Sequence, residues 1–481
     1  MFKTTWALAA ALISSALIGV VFSSSAEAQD RDPAAVPLNV APPKKPHPFT
    51  VGFRESFYLA NKDTLLGARH FEEVTLRVRG QGNSDFISTG IDIGASYGIN
   101  VPDYLSIYAP EGYFRFMLGN TPSASAPLLT FGRKKDRWSL LDSFWELGTW
   151  QPQYRWDYLR PEEQGLVGVF FELPTDSLRV VLFASPLYVP ESGASYRLRD
   201  GKLVSNSPWF FEPTESILIN NGIAADVKYT PNIPPIEEII RKGSFGGTIE
   251  AGARTAGLWA RGSYIYKPRN QLALPFTGNL QISGSGSYVD VQIYPKVPFH
   301  HLTALDFGYK GEKFSIWMAN LYDKPIEEEY PLYNYQKLYP TYFASPGVEF
   351  SETNSNGTSY GVVLSYLSKS GDEPQEFGND TNPDNPTFGL PYNFTNAGRA
   401  AIRFSFPLKG ELRSSWSLAY TYNIDDSATW IKFVSDWMLS QKFRASFEAD
   451  LLGSTAPRSD NHFLSRYRGN DRVIASGSMV F

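Results

Sequence analysis

Hydrophobic and polar residues alternate one by one over many short stretches of the chain. Between Lys442 and Leu451, the odd-numbered positions from Phe443 onward are apolar and the even-numbered positions are polar or charged. Successive side chains of a β-strand point to opposite faces of its sheet, so this spacing predicts a strand with one apolar and one charged face. We expect Phe447 on the apolar face, and Glu448 on the charged face. Similar alternation at 87–100, 413–423 and elsewhere predicts an all-β protein.

The alternating stretches predict about eighteen strands, each near the ~9–11 residues that a tilted membrane-spanning strand needs. One connection, 322–357, is too long for the short turn that the strand order requires there, and an additional strand near 342–350 would repair the order. The strand number therefore stays open between about 16 and 20, with 18 favoured. The predicted strands are 71–79, 86–100, 112–119, 128–134, 165–173, 178–185, 221–229, 245–254, 257–267, 285–294, 300–310, 313–321, 358–368, 396–406, 413–423, 428–439, 442–452 and 472–481.

Aromatic residues close many of these stretches, as Tyr266, Trp317, Tyr422 and Trp437 do. A soluble β-sandwich or β-propeller also has alternating strands, but its apolar face is core and seldom carries so many aromatic ends. Aromatic rings at strand ends are typical of the two membrane–water interfaces. A sheet in lipid must close on itself, because unpaired edge groups find no hydrogen-bond partner there. The pattern therefore favours a transmembrane antiparallel up-and-down β-barrel.

Composition and charge exclude several kinds of partner and anchor. Aromatic residues make up 15% of the chain, with 39 Gly and 34 Pro, as in a large β protein with many turns. The formal net charge is −5 and both signs are mixed along the chain, so nucleic acid is excluded as an expected partner. There is no cysteine, which excludes disulfides and an N-terminal lipid anchor.

The first residues have the order of a secretory signal peptide. Lys3 precedes an apolar run from Trp6 to Phe22 and then Ala26-Glu27-Ala28, which predicts Sec export and cleavage after Ala28; an uncleaved anchor is the alternative. Residues 29–48 are rich in proline and predict an extended periplasmic arm. The expected organisation is a signal peptide at 1–28, the arm at 29–48 and a barrel at 49–481.

The last ten residues resemble the C-terminal assembly signal of bacterial outer-membrane barrel proteins. Val473, Ala475, Met479 and the final Phe481 share one face. The family pattern has a glycine five residues before the final aromatic residue, where this chain has Ser476. The resemblance implies a Gram-negative outer membrane, with its lipids and lipopolysaccharide around the barrel, and recognition of Phe481 by the barrel-assembly machinery.

The strand parity opposite the apolar one is expected to face the lumen. Charged groups are costly in a dry interior, so a lumen lined by them must hold water or a polar plug, or pair the charges, and we expect about half of them in ion pairs between strands. A barrel of 16–18 strands leaves an aqueous channel. The predicted pore-lining residues are Arg77, Arg79, Asp92, Arg115, Arg179, Asp226, Glu250, Arg261, Asp290, Arg403, Arg444, Glu448 and Asp450.

Two segments rich in aromatic and basic residues are candidates for contact with a solute. The segment 145–166 contains Trp150, Tyr154, Trp156 and Arg160, which could hold a ligand by stacking and cation–π contact. The connection 186–220 contains Trp209. The alternative for the first segment is an anchor in the aromatic girdle, and for the second a surface lid.

The architecture resembles the general porin class, and this resemblance implies passive diffusion of small hydrophilic solutes or ions. The alternatives are a structural or adhesion barrel and a rim-site lipid-modifying enzyme. No nucleophile, zinc-protease or phosphate-loop motif occurs, and the adjacent His300 and His301 point to opposite faces of a strand. We therefore expect no enzymatic activity, no cofactor and no metal, and leave a homo-oligomer open.

Overall fold

Eighteen strands, within the residues that the structure describes, form one antiparallel sheet in the computed structural model. We number them in chain order: β1 (Phe49–Tyr58), β2 (His70–Asn83), β3 (Ile87–Gly98), β4 (Leu105–Met117), β5 (Leu128–Lys134), β6 (Leu166–Pro174), β7 (Leu178–Ser185), β8 (Ser244–Gly252), β9 (Gly257–Pro268), β10 (Phe299–Lys310), β11 (Phe314–Pro325), β12 (Thr341–Thr353), β13 (Ser359–Ser370), β14 (Ala397–Pro407), β15 (Arg413–Asn423), β16 (Ala428–Met438), β17 (Phe443–Ser454) and β18 (Arg472–Val480). The described residues are 49–59, 70–101, 104–119, 125–210, 213–219, 223–252, 256–283, 286–326, 333, 335–372, 375–377, 392–408, 412–455 and 462–481. The predicted signal peptide and proline-rich arm lie outside them.

Each strand pairs with the next one along the chain, and the sheet closes where β1 pairs with β18, from Thr50 opposite Val480 to Tyr58 opposite Arg472. Closure removes both edges of the sheet, as a lipid environment requires. The predicted all-β, up-and-down barrel and its favoured count of 18 strands are therefore confirmed.

The two ends of the barrel differ in the length of their connections. At one end the strands are joined by short turns, such as 84–86, 175–177 and 311–313, and this turn end also contains Phe49 and Phe481. At the other end, the loop end, the connections include 135–165, 186–243 and 269–298. In outer-membrane barrels the short turns lie on the periplasmic side.

The outer surface is apolar because one parity of each strand faces outward. On β17, Phe447 and Leu451 are 37% and 42% exposed, whereas Glu448 and Asp450 point inward and are 3% and 0% exposed. Ile402 on β14 is 45% exposed in the same way. A register slip of one residue would turn the charged parity toward hydrocarbon.

Two of the predicted barrel strands, 221–229 and 285–294, are wrong. They correspond to Ile223–Pro231 and Gly286–Ile293, which pair in parallel within a separate four-stranded sheet that also contains Ser216–Ile219 and Phe276–Ser283. Their alternation buries a small apolar core between loop segments, with Val227 and Val291 at 3% and 7% exposure. Since a loop core and a lipid face impose the same period of two, alternation alone could not separate them.

Two barrel strands, β1 and β12, are absent from the list of predicted strands. The additional strand that we considered near 342–350 corresponds to β12. β12 contains Pro346 and Gly347, which interrupt its pattern, and the register with β13 skips from Ala344 to Gly347. β1 carries Arg54-Glu55-Ser56 in place of a clean alternation. Local departures from the pattern explain both omissions.

The remaining regular elements are short. Among the described residues, three pairs of strands lie outside the two larger sheets, and three helices are present: α1 (Leu140–Trp145), α2 (Ile236–Ile240) and α3 (Phe463–Arg466). No helix in the described part of the chain is long and apolar enough to cross a membrane. The paired short strands are Gln153–Tyr154 with Glu162–Glu163, Arg197–Arg199 with Lys202–Val204, and Tyr335–Lys337 with Gln375–Phe377.

Candidate functional site: the barrel lumen

The connection between β5 and β6, residues 135–165, folds into the barrel; we call it the insert. Its helix α1 begins after Ser139, whose hydroxyl accepts a hydrogen bond from the Asp142 amide at 3.3 Å. Trp138 and Trp145 are 1% and 0% exposed, although they belong to a loop. The helix ends at Glu146, which has a left-handed φ of 52°.

The Asp142 side chain turns the insert back on itself after the helix. Its carboxylate accepts hydrogen bonds from the Thr149 amide at 2.9 Å, the Thr149 hydroxyl at 2.7 Å and the Trp150 amide at 3.2 Å. Burial raises the pKa of Asp142 despite these three donors. Hydrogen bonds within the insert therefore stabilise this turn.

On one side the insert is bound to β10, β12 and β14. The Leu140 amide donates to Asp306 Oδ2 at 2.7 Å, and Trp145 Nε1 donates to Ser345 Oγ at 2.9 Å. Arg399 donates to the Phe144 carbonyl at 2.7 Å, and its guanidinium lies 4.8 Å from the centre of the Trp145 ring.

On the other side the insert is bound by ion pairs to β17, β18 and β2. Arg160 lies 2.6 Å from Glu448, and Asp157 lies 2.5 Å from Arg472. Glu162 lies 2.7 Å from Arg77. Since these contacts lie on strands far apart in the sheet, the insert crosses the lumen from wall to wall.

The loop-end half of the lumen is filled with side chains. The Trp145 ring packs against Phe394 at 5.9 Å, and Phe394 packs against Phe463 at 5.7 Å between ring centres. Tyr158 of the insert stacks on Tyr467 at 5.1 Å. These rings belong to one buried core that also includes inward-facing wall residues. We call it the loop-end core.

The turn-end half of the lumen contains a cavity of about 1890 Å³. The cavity reaches the turn at Gly311 and the end of β18 at Ser478, and it continues beside the insert, along β1 to β4, as far as Tyr104. Its charged lining residues are Arg54, Glu73, Arg77, Arg79, Asp92, Glu111, Arg115, Lys134, Lys135, Asp136, Arg137, Asp142, Glu146, Asp157, Arg160, Glu162, Glu163, Glu250, Arg261, Lys310, Glu312, Lys313, Glu349, Glu352, Lys432, Asp436 and Glu448.

Opposite charges are interleaved along this wall. Arg77 and Asp92 make two hydrogen bonds of 2.6 Å each, and Arg79 lies 3.2 Å from the same carboxylate. Arg261 lies 3.3 Å from Glu250. These pairs satisfy part of the charge locally, and the cavity lining contains both signs.

Two carboxyl groups of the insert titrate differently because their neighbours differ. Burial raises the pKa of Glu163 to about 7, and the hydrogen bond of 2.5 Å from Gln151 only partly offsets this. Burial acts in the same direction on Asp136, but Lys134 and Arg179 outweigh it and hold the Asp136 pKa below its usual range. The raised pKa places the change of charge of Glu163 near neutral pH.

Several predicted pore-lining residues meet in the cavity wall, and others do not. Asp226 and Asp290 lie on the separate loop sheet, so their assignment to the barrel wall was wrong. Asp450 points inward but is enclosed by Arg472 at 2.8 Å and by Trp430 Nε1 at 3.1 Å. Arg179 pairs with Asp136 and Glu172, and Arg403 and Arg444 lie on barrel strands outside the cavity lining. The residues that line the cavity are Arg77, Arg79, Asp92, Arg115, Glu250, Arg261 and Glu448.

The candidate solute contacts divide in the same way. Tyr154, Trp156 and Arg160 line the cavity. Trp150 is 1% exposed and stacks on Trp138 at 5.8 Å, and Trp209 is 3% exposed within the loop-end core. The insert is therefore not an anchor in an outer girdle, and Trp209 of the connection 186–220 is buried rather than part of a surface lid.

Sequence reasoning missed Tyr108, which forms an aromatic patch with Tyr154 and Trp156. Trp156 lies 4.9 Å from Tyr154 and 6.0 Å from Tyr108, and Arg77 lies over the Tyr108 ring at 5.5 Å. The signal was present, because Leu105 and Ile107 alternate with Ser106 and Tyr108, but Pro110 follows closely and the predicted strand began at 112.

The closed barrel, with short turns at one end and long connections at the other, is an outer-membrane β-barrel of the porin-like architecture. No family model and no curated protein matches the sequence. One similar solved structure is Wzi of Escherichia coli, an outer membrane protein involved in group 1 capsule assembly and a carbohydrate-binding β-barrel. It has a TM-score of 0.44 and 12% identity, over 90% of this chain and 85% of that chain.

Two further similar structures carry the name Occ. OccK3 of Pseudomonas aeruginosa has a TM-score of 0.41 and 10% identity, over 90% of this chain and 94% of that chain. OccAB4 of Acinetobacter baumannii has a TM-score of 0.39 and 10% identity, over 90% and 98%. At these scores and identities the likeness carries no argument about what this chain transports or binds.

Proposed function

We propose that the protein is a porin-like channel for passive diffusion of small hydrophilic solutes or ions, narrowed by the insert. The observation that carries the proposal is the charge-lined cavity of about 1890 Å³ in the turn-end half. An 18-stranded wall encloses more space than its own side chains fill. Paired charges facing an open cavity retain contact with water, which a dry interior would deny them.

In this proposal the solute passes beside the insert rather than through it. The insert is bound to both sides of the lumen, whereas the cavity continues between it and strands β1 to β4 up to Tyr104. The aromatic patch of Tyr108, Tyr154 and Trp156 lies on this route, and Arg160 lines the same cavity. Aromatic faces beside charged groups bind the apolar and polar sides of a small solute together.

The interleaved charges bear on selectivity. Arg77, Arg79 and Asp92 form one paired group, and Arg261 pairs with Glu250. Because neither sign dominates over the wall, the proposed channel discriminates weakly between small cations and anions. The proposal includes no catalytic step and no cofactor.

The proposed location is the Gram-negative outer membrane, reached by Sec export with cleavage after Ala28 and assembly directed by Phe481. Outer-membrane lipids and lipopolysaccharide would surround the apolar outer face. This part of the proposal rests on the sequence pattern of residues 1–28 and 473–481.

Planar-bilayer recording of the full-length protein tests the channel. We expect discrete conductance steps, and a membrane-impermeant charged thiol reagent should reduce them in Ser446→Cys, because Ser446 lines the cavity. The matched control is Phe447→Cys, whose side chain faces outward. A barrel that carries no current at any voltage would contradict the proposal.

A second candidate, a non-conducting structural or adhesion barrel, is favoured by the loop-end core. Trp145, Phe394 and Phe463 fill the lumen above the cavity with packed rings. A sealed barrel in the same recordings, with the wild-type fold intact, would favour this second function.

A further inference from the structure

We propose that Glu55, His70 and Glu72 bind a divalent transition-metal ion on the outer surface of the barrel near its loop end. One donor atom of each side chain lies within 4.8 Å of the other two. His70 Nε2 is 2.6 Å from Glu55 Oε1 and 3.5 Å from Glu72 Oε1. The three side chains are partly exposed, and they lie within three residues of the loop-end termini of β1 and β2.

The strand register places the two carboxylates on the same outward face. Glu55 on β1 is directly opposite Glu72 on β2. Phe53 and Phe57, of the same parity as Glu55, are each 44% exposed, and Leu76, of the same parity as Glu72, is 46% exposed. Like charges directly opposite each other in an antiparallel pair destabilise it. A cation between the two carboxylates would therefore stabilise this register.

The described residues do not supply enough positive charge. Among them, His70 is the basic side chain within 4 Å of either carboxylate. Arg54, next to Glu55 in the chain, has the opposite parity and lies 3.1 Å from Glu73. Even a protonated imidazole would leave the three groups with a net charge of −1. A divalent ion between the carboxylates removes the repulsion that His70 alone leaves.

The three ligands are held in place by neighbours that are not ligands. The His70 ring stacks on Phe57 with 4.8 Å between ring centres and an angle of 9°. Asn100 donates to the His70 carbonyl at 2.7 Å and accepts from the Glu72 amide at 2.9 Å. The backbone from His70 to Glu72 and the imidazole plane are therefore fixed before an ion binds.

The donor set selects the class of ion. One imidazole nitrogen and two carboxylate oxygens suit zinc, which takes three protein ligands and a water in its open sites. Calcium takes six to eight oxygen ligands, and magnesium requires octahedral oxygen coordination with several waters. The proposed site therefore takes Zn²⁺ with at least one coordination position open to solvent.

Calorimetric titration of the chelator-treated, tag-free full-length protein with Zn²⁺ at pH 8 tests the site. We expect one ion per chain in the wild type, and at least a tenfold loss of affinity in His70→Gln and in Glu72→Gln. His301→Gln is the matched control, because His301, on β10, likewise lies near the loop end but forms a hydrogen bond with Tyr264 instead of contacting a carboxylate. The control should bind Zn²⁺ like the wild type.

Thermal unfolding separates metal binding from a merely structural role of these residues. In metal-free protein, Glu72→Gln should unfold at a higher temperature than the wild type, because one of two opposed charges is gone. With Zn²⁺ the order should reverse. Wild-type protein that binds no Zn²⁺, equal affinity in His70→Gln, or the same order of unfolding temperatures with and without Zn²⁺ would each overturn the proposal. None of these results depends on ion conduction.

Discussion

The two halves of the lumen are enclosed by the same strands but are filled in opposite ways. Along β16, the inward side chain Trp430 belongs to the loop-end core, and Asp436 on the same parity lines the turn-end cavity. Along β17, Leu452 lies in the core and Ser446 lines the cavity. The barrel wall has one construction throughout. What differs is the chemistry of its inward side chains and of the loop that folds against them.

The comparison teaches that barrel diameter alone does not decide whether a lumen conducts. Eighteen strands leave space, and that space is occupied either by apolar rings or by charged groups that need water. Trp138, Leu141 and Trp145 of the insert bury their side chains completely or nearly so, each contributing about 1.5–3 kcal/mol. The loop-end half is therefore largely filled by packed side chains, except for the part of the cavity beside the insert, and charged groups line the open turn-end half.

The largest effect should follow from removal of the insert. Replacement of residues 138–160 by a short Gly-Ser linker should raise single-channel conductance several-fold, because the loop-end core loses its central rings and the cavity then extends further along the lumen. Replacement of the exposed hairpin Arg197–Val204 by the same linker is the control. Unchanged conductance after removal of the insert would mean that other loops close the barrel.

The next effect concerns the packing of the loop-end core. Trp145→Ala should destabilise the barrel by about 3–5 kcal/mol, because a fully buried indole and its hydrogen bond to Ser345 are lost. Trp416→Ala, on the outer face at 43% exposure, should cost much less. Denaturant midpoints of the two variants in detergent provide the measurement. Equal losses would show that the core does not hold the insert.

A smaller effect concerns pH. The pKa of Glu163 is raised from its usual value to about 7, so the folded protein retains this proton where the unfolded chain has lost it. Stability should therefore fall as the pH rises from about 5 to 8, by on the order of 2–3 kcal/mol for this group. Glu163→Gln should lose less stability over that range, measured as unfolding temperature against pH. A wild-type profile that the variant leaves unchanged would rule out this titration.

The smallest effect separates the two aromatic candidates for solute contact. Trp156→Ala should weaken block of the current by a small aromatic solute, by about 1 kcal/mol or several-fold in affinity, because Trp156 lines the cavity. Trp209→Phe should leave block unchanged, since Trp209 lies in the loop-end core. If the Trp209 variant weakened block of the current and the Trp156 variant did not, the solute would contact the loop-end core rather than the cavity.

The outer face of the barrel could be predicted from sequence because every strand must place apolar side chains toward the lipid. Phe447 and Leu451 face outward for that reason, and one parity suffices to place them. The inner face could not be predicted so well, since its chemistry depends on which loop reaches it. Glu448 and Asp450 have the same parity, but Glu448 lines the cavity and Asp450 is enclosed by Arg472 and Trp430.

The candidate site was predictable in composition but not in place. The density of aromatic residues from 145 to 166 marked the insert. The sequence of that segment alone does not indicate that Trp150 is buried and that Trp156 lines a cavity. The contacts that decide this, such as Arg399 with Phe144, join residues far apart in the chain. The same holds for the cluster of Glu55 and His70, which strand pairing alone brings together.

The ion pairs of the insert also bear on how the barrel stays shut along its seam, the line where the first and last strands meet. Asp157 pairs with Arg472 on β18, and Glu162 pairs with Arg77 on β2, on the other side of β1. The insert thus spans the seam from within the barrel. A force that separates β1 from β18 must break these two ion pairs as well as the backbone hydrogen bonds between the two strands. The segment that narrows the passage therefore also holds the first and last strands of the sheet together.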